Sequence, residues 1–333
     1  MWIQQLVAPR TFDLKSVVTP TVDDLSVGQV LIKLSAGGIC GSDLPYYKGK
    51  RPNTPGFSVP SGPTPPGLPL HEVVGTVVAG RESDLSIGAR VVGWATGVDG
   101  LAEFVITRIS SLVEIDGALT PSQAVSLQPL ACVINAVDRL PRLQGASATI
   151  LGVGPIGALF AHVLKSRGVT RVVGIDVVDR SDIADSFGID EVRVLAAESW
   201  AAECDCVPGL RTDIVIEAIG HQSASLHHAV EAAAHNGTIF YFGVPDEAHC
   251  QFPIEIFLRR NATLMAGYTD ESLRRGALHE AVAYVRTYPD VFARYVTHEV
   301  PASRAGEAFA LAAFPTQGQL KVTVVADSLT VAS

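Results

Sequence analysis

The chain has 333 residues, enough for two domains, and its fractions of hydrophobic (47%) and charged (18%) residues are those of a folded globular protein. A formal net charge of −9 without any run of Lys and Arg argues against a nucleic-acid partner. The cysteines are scattered and form no CxxC pair, and the N-terminus has no basic segment followed by an apolar run, so we expect a cytoplasmic protein.

The N-terminal part, up to about residue 120, reads as short strands separated by glycine and proline. This pattern is typical of a partly open β-barrel. The predicted strands are residues 28–38, 72–80, 88–94 and 102–107.

A stretch of unusual composition, GGICGSDLPYYKGK at residues 37–50, places the lone Cys40 between glycines. By itself such a cysteine is usually a small buried apolar residue. His71 alone would be read as a turn histidine, and Glu72 alone as a solvated acid at the start of a strand. Their value as candidate ligands therefore depends on their occurrence together in one domain.

Residues 146–164 contain no Asp, Glu, Lys or Arg, and their length alone would admit a membrane helix. Glycines and a proline interrupt the segment, so we predict no membrane span here. A strand at 147–151, a turn at 152–157, a helix at 158–167 and a second strand at 171–176 account for the pattern better. Together they form a predicted βαβ unit.

The turn of this unit reads GVGPIG and is typical of dinucleotide binding. Gly152 permits the tight turn, Gly154 lets backbone N–H groups approach a pyrophosphate, and Gly157 allows the helix to pack closely on the strand. Pro155 and Ile156 open the helix, whose N-terminus attracts the pyrophosphate. The alternative is a glycine-rich packing turn in another kind of α/β protein.

Asp176 ends the second strand, where an acid can bond the ribose hydroxyls and repel the 2′-phosphate of NADP. We therefore predict NAD as the cofactor. Arg180 complicates this prediction, because an arginine nearby can accept that phosphate.

Strands and helices continue to alternate, with strands predicted near Val192 and at residues 212–220, 237–244 and 262–268. This alternation predicts an α/β fold with a parallel, doubly wound sheet. Ligands bind at the carboxyl ends of such strands, which nominates five residues for contact with the cofactor: Ile219, Gly220, Gly243, Val244 and Gly267. The alternative is that they form simple strand-end turns. After residue 271, two helices and a final strand are assigned to the β domain.

The order of these motifs resembles the zinc-type medium-chain dehydrogenase/reductase family, which includes alcohol, sorbitol and threonine dehydrogenases. The resemblance covers nearly the whole chain and rests on GGICGSDLPYYKG, PLHEVVGTV, GARVVG, PLACVINAVDRL, the glycine turn and TDIVIEAIG. It implies a GroES-like β-barrel catalytic domain at 1–128 and 269–333 and a Rossmann domain at 129–268. CGSDLPYYKG and PLACVINAVDRL look most like the branch that acts on sorbitol, threonine or cyclitols such as inosamines.

The resemblance also implies an activity, the NAD-dependent interconversion of a secondary alcohol or polyol and its ketone, in a homo-oligomer, either a dimer or a tetramer. One catalytic zinc ion would be held by Cys40, His71 and Glu72. Asp43 would accept the N–H of His71. A proton path through two hydroxyl groups is implied as well, those of Ser42 and Tyr46.

Two departures from the family pattern bear on the metal. Only eight residues, ATGVDGLA, separate Trp94 from Glu103, so the four-cysteine lobe that holds a structural zinc in many relatives is missing. Gln128 stands where relatives usually have a glutamate, and an amide is a poorer zinc ligand than a carboxylate. Either Glu72 binds zinc directly, with Gln128 beside the site, or the metal is weakened or lost.

Two other functions therefore stay open. One is a zinc-free, NAD(P)H-dependent reductase of the same fold that acts on an activated double bond or a quinone. The other is a nucleotide-binding protein without catalysis. Cys40, His71 and Glu72 argue against the first, while Gln128 argues mildly for it.

Overall fold

The computed structural model describes residues 1–50 and 64–327. Within them the chain forms two compact units. The first comprises residues 1–50, 64–131, 270–315 and 319–327, and the second comprises residues 132–269 and 316–318. No helix in the described part of the chain is both long and apolar enough to cross a membrane.

The strands, in chain order, are β1 Trp2–Ala8, β2 Thr11–Ser16, β3 Gln29–Gly38, β4 Glu72–Arg81, β5 Arg90–Trp94, β6 Phe104–Arg108, β7 Leu112–Glu114, β8 Ser147–Leu151, β9 Arg171–Asp176, β10 Glu191–Val194, β11 Thr212–Glu217, β12 Ala233–Tyr241, β13 Thr263–Ala266, β14 Val296–Pro301 and β15 Lys321–Val325.

The α-helices are α1 Leu44–Tyr47, α2 Pro121–Val125, α3 Leu127–Val137, α4 Pro155–Ser166, α5 Ala184–Phe187, α6 Ala197–Cys206, α7 Ala224–Ala232, α8 Ile254–Arg259, α9 Glu271–Thr287 and α10 Ala305–Ala313.

The first unit is built on a mostly antiparallel sheet with the strand order β14-β15-β3-β4-β5-β7, and β6 pairs with β3. Its strands are rich in valine and isoleucine, whose branched side chains favour a pleated, half-buried surface. Their inward faces, together with α10, form a hydrophobic core that includes Val30, Ile32, Val73, Val91 and Phe309. The final strand β15 lies between β3 and β14, and β1 and β2 pair in a separate two-stranded sheet.

The second unit is a six-stranded parallel sheet with the order β10-β9-β8-β11-β12-β13. Strands β8, β9 and β10 follow one another toward one edge of the sheet. Strands β11, β12 and β13 then follow one another toward the other edge, so the sheet is doubly wound. Residues of successive strands lie in register, with Leu151 beside both Ile175 and Glu217, so the carboxyl ends of the central strands share one edge. The predicted α/β fold with a Rossmann-type parallel sheet is confirmed.

Several element boundaries differ from the sequence-based prediction. Helix α4 begins at Pro155, as the proline in the glycine turn indicated, since proline at the first helical position loses no intrahelical hydrogen bond. Strand β11 ends at Glu217, and the chain turns before Gly220, whose φ is +64°. Strands β1, β2, β7 and β14 were not predicted. Of these, β14 is a polar, half-exposed strand that pairs with β15 and lacks an apolar run.

Candidate functional site

A short turn after β3 carries the first candidate ligand. Cys40 precedes a 3₁₀ turn at Gly41–Asp43, which leads directly into α1. The Asp43 carboxylate is fully buried, and its Oδ2 accepts the backbone N–H of Cys40 at 2.9 Å. The backbone N–H of Asp43 in turn donates to the Cys40 carbonyl at 3.1 Å. These two bonds fix the backbone from which the Cys40 thiol projects.

His71 lies immediately before β4, and its ring is oriented by the same aspartate. Its Nδ1 lies 2.8 Å from Asp43 Oδ1, which leaves Nε2 as the ring atom available for a metal. Burial of the imidazole disfavours its charged form, but the Asp43 carboxylate and the neighbouring Cys40 outweigh burial, and the pKa of His71 lies well above its usual value. A bound divalent cation would replace the proton on Nε2.

Glu72 opens β4 and is fully buried. Its Oε2 lies 2.5 Å from the ammonium of Lys321, the first residue of β15, which also donates to the Ile39 carbonyl at 2.9 Å. Burial raises the pKa of Glu72, although Lys321 and His71 both act to lower it. The space for this ion pair exists because residue 38 is glycine: a Cβ there would lie 2.1 Å from Glu72 Oε2 and 3.0 Å from Lys321 Cε.

Cys40, His71 and Glu72 each offer a ligand atom, and these atoms lie within 4.8 Å of one another. Thiolate, imidazole and carboxylate are the ligand types that zinc prefers in proteins. Glu72 Oε1 is buried and has no hydrogen-bond partner among the described residues, so it is free to ligate. On these observations the cluster fits a metal ion. No second group of three such residues occurs in the described ranges.

The other residues predicted for this site lie in the same unit. Ser42 is half-buried in the turn that follows Cys40. Tyr46 is buried in α1, and its pKa is raised by burial and by the charge of Asp43. Gln128 is the second residue of α3 and is 2% exposed.

The glycine turn of the second unit has the close approaches that its sequence predicts. Gly152 has φ +89°, and a Cβ there would lie 2.9 Å from the backbone nitrogen of Ile219. A Cβ on Gly157 would lie 2.0 Å from the carbonyl oxygen of Gly152, so only glycine lets α4 pack this closely. Gly154, the N-cap of α4, has open space around it instead, and Pro155 and Ile156 follow in the first helical turn. A phosphate group could therefore approach the backbone at Gly154.

Asp176, at the end of β9, is bound to the glycine turn. Its Oδ2 accepts the backbone N–H of Val153 at 2.8 Å, and its Oδ1 accepts that of Val178 at 2.8 Å. Arg180 lies with its Nε 3.8 Å from Asp176 Oδ2, is 3% exposed, and donates to the Thr316 carbonyl at 3.3 Å. This arginine is thus packed within the unit rather than extended into solvent.

The loops after β11 and β12 lie against each other. A Cβ on Gly243 would lie 2.4 Å from the backbone nitrogen of Gly220, and the N–H of His221 donates to the Val244 carbonyl at 2.8 Å. Ile219 is half-buried and Val244 is 48% exposed.

Gly267, after β13, has a packing reason of its own, because a Cβ there would lie 2.6 Å from the ring of Phe240.

Two family models match the chain. One, described as "Alcohol dehydrogenase GroES-like domain", matches residues 26–117, and the other, "Zinc-binding dehydrogenase", matches residues 155–282. The chain belongs to the zinc-type medium-chain dehydrogenase/reductase family. It is an oxidoreductase of the alcohol and polyol dehydrogenase type, and the family inferred from the motifs is confirmed.

Curated relatives include the D-arabinitol dehydrogenase 1 of Uromyces fabae, 29% identical over 72% of this chain and 74% of the relative. The sorbitol dehydrogenase of Bombyx mori is 28% identical over 90% and 91%, and the D-altritol 5-dehydrogenase of Agrobacterium fabrum is 29% identical over 85% and 88%. Among solved structures, an alcohol dehydrogenase from Thermus sp. ATN1 shares the fold, with a TM-score of 0.80 at 24% identity over 98% of this chain and 99% of that one.

Two buried charged residues were not predicted from the sequence. Lys321 lies in the last strand, far along the chain from Cys40, and its one signal is a lysine that begins an otherwise apolar strand. Glu217 ends β11, and its signal is an acid within the apolar run TDIVIEAIG. Neither signal shows which distant group the side chain meets.

Proposed function

We propose that this protein is a zinc-containing, NAD-dependent dehydrogenase that interconverts a secondary hydroxyl group of a polyol and the corresponding ketone. The observation that carries the proposal is the cluster of Cys40, His71 and Glu72, oriented from behind by the buried Asp43. The three polyol dehydrogenases named above support a polyol as the class of substrate.

Cys40, His71 and Glu72 would hold the zinc ion, with Gln128 as a candidate fourth group. When bound, zinc would polarise the oxygen of the substrate. The nicotinamide would exchange a hydride with the substrate carbon that bears this oxygen. Asp43 accepts a hydrogen bond from His71 Nδ1 and so directs Nε2 at the cluster. Ser42, beside Cys40, and Tyr46, one turn later, would carry the hydroxyl proton away from the substrate.

For the cofactor, Gly152, Gly154 and Gly157 would admit the pyrophosphate at the N-terminus of α4. Asp176 would bond the ribose hydroxyls and repel a 2′-phosphate. Arg180 packs against Asp176 and the Thr316 carbonyl, and this supports NAD over NADP. The loop residues Ile219, Gly220, Gly243, Val244 and Gly267 would complete the cofactor surface.

The zinc-free reductase is the second candidate, and Gln128 is the residue that favours it. Against it stands the buried, unbonded oxygen of Glu72, for which a metal ion provides a partner. We therefore prefer the zinc enzyme.

The test is to purify the protein without chelator, measure its zinc content, and screen polyols with NAD⁺ at alkaline pH. We expect about one zinc per chain and NADH formation with at least one polyol. Cys40→Ser should lose both, whereas the matched variant Cys206→Ser, at an exposed cysteine of the other unit, should keep both. A wild-type protein without bound metal that reduces a quinone instead would establish the second candidate.

A further inference from the structure

A carboxylate that the proposed reaction does not use lies at the end of β11. Glu217 is fully buried, and no cationic side chain pairs with it in the described part of the chain. Burial raises the pKa of its carboxyl group, although four hydrogen bonds, from Ser225 and three backbone N–H groups, act to lower it. A buried acid without a cation costs stability unless its oxygens are bonded, so its partners explain its presence.

The partners of Glu217 belong to two different loops. Its Oε1 accepts the backbone N–H groups of Ile219 at 3.1 Å and Gly220 at 3.2 Å, in the loop after β11. Its Oε2 accepts the N–H of Gly243 at 3.2 Å, in the loop after β12, and the Glu217 carbonyl shares this N–H at 3.1 Å. A single side chain therefore joins the two loops.

The two loops pack closely against each other beside the carboxylate. A Cβ on Gly243 would lie 2.5 Å from Glu217 Oε2 as well as 2.4 Å from the nitrogen of Gly220. Gly220 has φ +64°, and the His221 N–H donates to the Val244 carbonyl at 2.8 Å. Both loops are thus held in one conformation around the carboxylate.

The loops after β11 and β12 lie at the carboxyl edge of the sheet, where a dinucleotide would bind. A dinucleotide lies across the carboxyl edge of a doubly wound sheet, with one nucleotide on each half. The half made of β8, β9 and β10 carries the glycine turn and Asp176, which are suited to the adenosine half and the pyrophosphate. The half made of β11, β12 and β13 then faces the nicotinamide half of the cofactor.

We infer that Glu217 is a positioning residue for the nicotinamide half of the cofactor, because it fixes the loops at residues 218–221 and 242–244 through hydrogen bonds to both. Glu217 does not touch the cofactor; it acts through the backbone of Gly220 and Gly243. This inference rests on the proposed NAD-binding function.

The test compares the binding of NADH with that of ADP-ribose, which lacks the nicotinamide, in the variant Glu217→Gln. Glutamine keeps the size of the side chain but replaces one acceptor oxygen with an N–H₂ group, so it cannot accept from both loops. We expect the Kd for NADH to rise about tenfold to a hundredfold, in the range for losing a hydrogen bond to a charged group, and the Kd for ADP-ribose to rise less than about threefold. Fluorescence titration measures the first and calorimetry the second.

The matched control is Thr212→Val, at the opposite end of the same strand. Thr212 is fully buried and hydrogen-bonds the Thr149 hydroxyl at 2.9 Å, so its loss should lower the Tm without changing either Kd. Should Glu217→Gln fail to fold, Glu217→Asp keeps both acceptor oxygens but shortens their reach to the two loops, and it should show the same selective loss for NADH.

Three results would overturn the inference. Unchanged NADH binding in Glu217→Gln would show that the loops keep their conformation without the carboxylate. Equal weakening of both ligands would show a structural role only. A wild-type protein that binds neither ligand would refute the proposed function, and the inference with it, whereas the first two results leave the proposed function intact.

Discussion

In the proposed site, Glu72 would lie between two positive charges, the Lys321 ammonium, with which it pairs, and a metal ion held with Cys40 and His71. The sequence indicated Glu72 as a carboxylate ligand and Gln128 as an amide where relatives usually have a glutamate. The structure adds a buried cation, which offsets one negative charge among the ligands. With zinc bound, the Cys40 thiolate and the Glu72 carboxylate would leave a net positive formal charge once Lys321 is counted, and an uncharged Gln128 would not change it.

The first prediction compares the two candidate ligands. Glu72→Gln should weaken zinc binding by about 100-fold or more, whereas Gln128→Ala should weaken it by less than about tenfold, because only Glu72 brings a charged oxygen to the cluster. Zinc retained after dialysis against a competing chelator measures both.

Glu72→Gln also leaves Lys321 buried without its partner, which would destabilise the fold by about 3–5 kcal/mol. The double variant Glu72→Gln/Lys321→Met removes both charges, so it should recover stability but not zinc. If it recovers zinc as well, Glu72 supports the fold and is not a ligand.

The second prediction concerns Asp176. We expect the wild-type enzyme to have a higher kcat/KM with NAD⁺ than with NADP⁺, and Asp176→Asn to reduce this ratio about tenfold or more, because a repulsive charge facing the 2′-phosphate is removed. Asparagine keeps the size of the side chain and one acceptor for the Val153 N–H. Steady-state kinetics with both cofactors give the ratio, and a wild-type preference for NADP⁺ would rule out this role.

At the residue scale, the sequence identifies groups that stand within a short motif. Cys40 and Asp43 are three residues apart, and His71 and Glu72 are adjacent, so a resemblance in two short stretches names all four. Lys321 and Glu217 act through contacts with residues of other strands or loops, and no local pattern specifies those partners.

At the element scale, the strands with long β-branched runs and the glycine turn were predicted because each has a local cause: β-branched runs form strands, and glycine relieves a close approach. Strand β1, whose apolar residues are interrupted by two glutamines, and the short β7 were missed. Strand β14 was missed because its sequence, VTHEVP, is polar; its place depends on parallel pairing with β15, which is a tertiary interaction. The strand pairing of β12 starts at Ala233, earlier than predicted, through its partner Thr212 on β11.

The third prediction concerns the junction of α4, β9 and the residue before β10. Asp190 accepts hydrogen bonds from Lys165 Nζ and from the N–H of Val172, at 2.8 and 2.6 Å. Burial acts to raise the pKa of Asp190, but these bonds outweigh it, and the pKa is lowered. A carboxylate with a lowered pKa contributes stability above its unfolded-state pKa, and this contribution disappears as the pH falls through the folded-state pKa.

Asp190→Asn should therefore lower the free energy of unfolding at pH 7, by about 0.5 kcal/mol because solvent screens this exposed carboxylate, and the difference from wild type should shrink toward about pH 3. Urea denaturation at several pH values measures this. A difference that stays constant across the range would mean that the charge of Asp190 contributes nothing.

At the scale of the whole molecule, each unit carries a different part of the chemistry. The first unit holds the candidate metal ligands, and the second holds the glycine turn and the strand-end loops. The second unit also ends its sheet in an exposed strand, β13, in which Leu264 is 40% exposed, and Tyr268 just after it is 75% exposed. An edge strand with apolar side chains is a surface suited to pairing with another chain.

The fourth prediction is that the protein is a homo-oligomer, a dimer or a tetramer, that uses this edge. Leu264→Lys should shift the sedimentation coefficient toward that of a monomer, because an exposed charge on an edge strand opposes pairing. The matched variant Ile87→Lys, at an exposed residue of the first unit, should not change it. A wild-type protein that sediments as a monomer would exclude the assembly.

The measurement that tests the central claim most directly is the rate of polyol oxidation by NAD⁺ before metal removal, after it, and after zinc is restored. We predict NADH formation by the protein as purified, a fall to background after chelation, and recovery on addition of about one equivalent of Zn²⁺ per chain. Undiminished oxidation by protein shown to be free of metal would contradict the account.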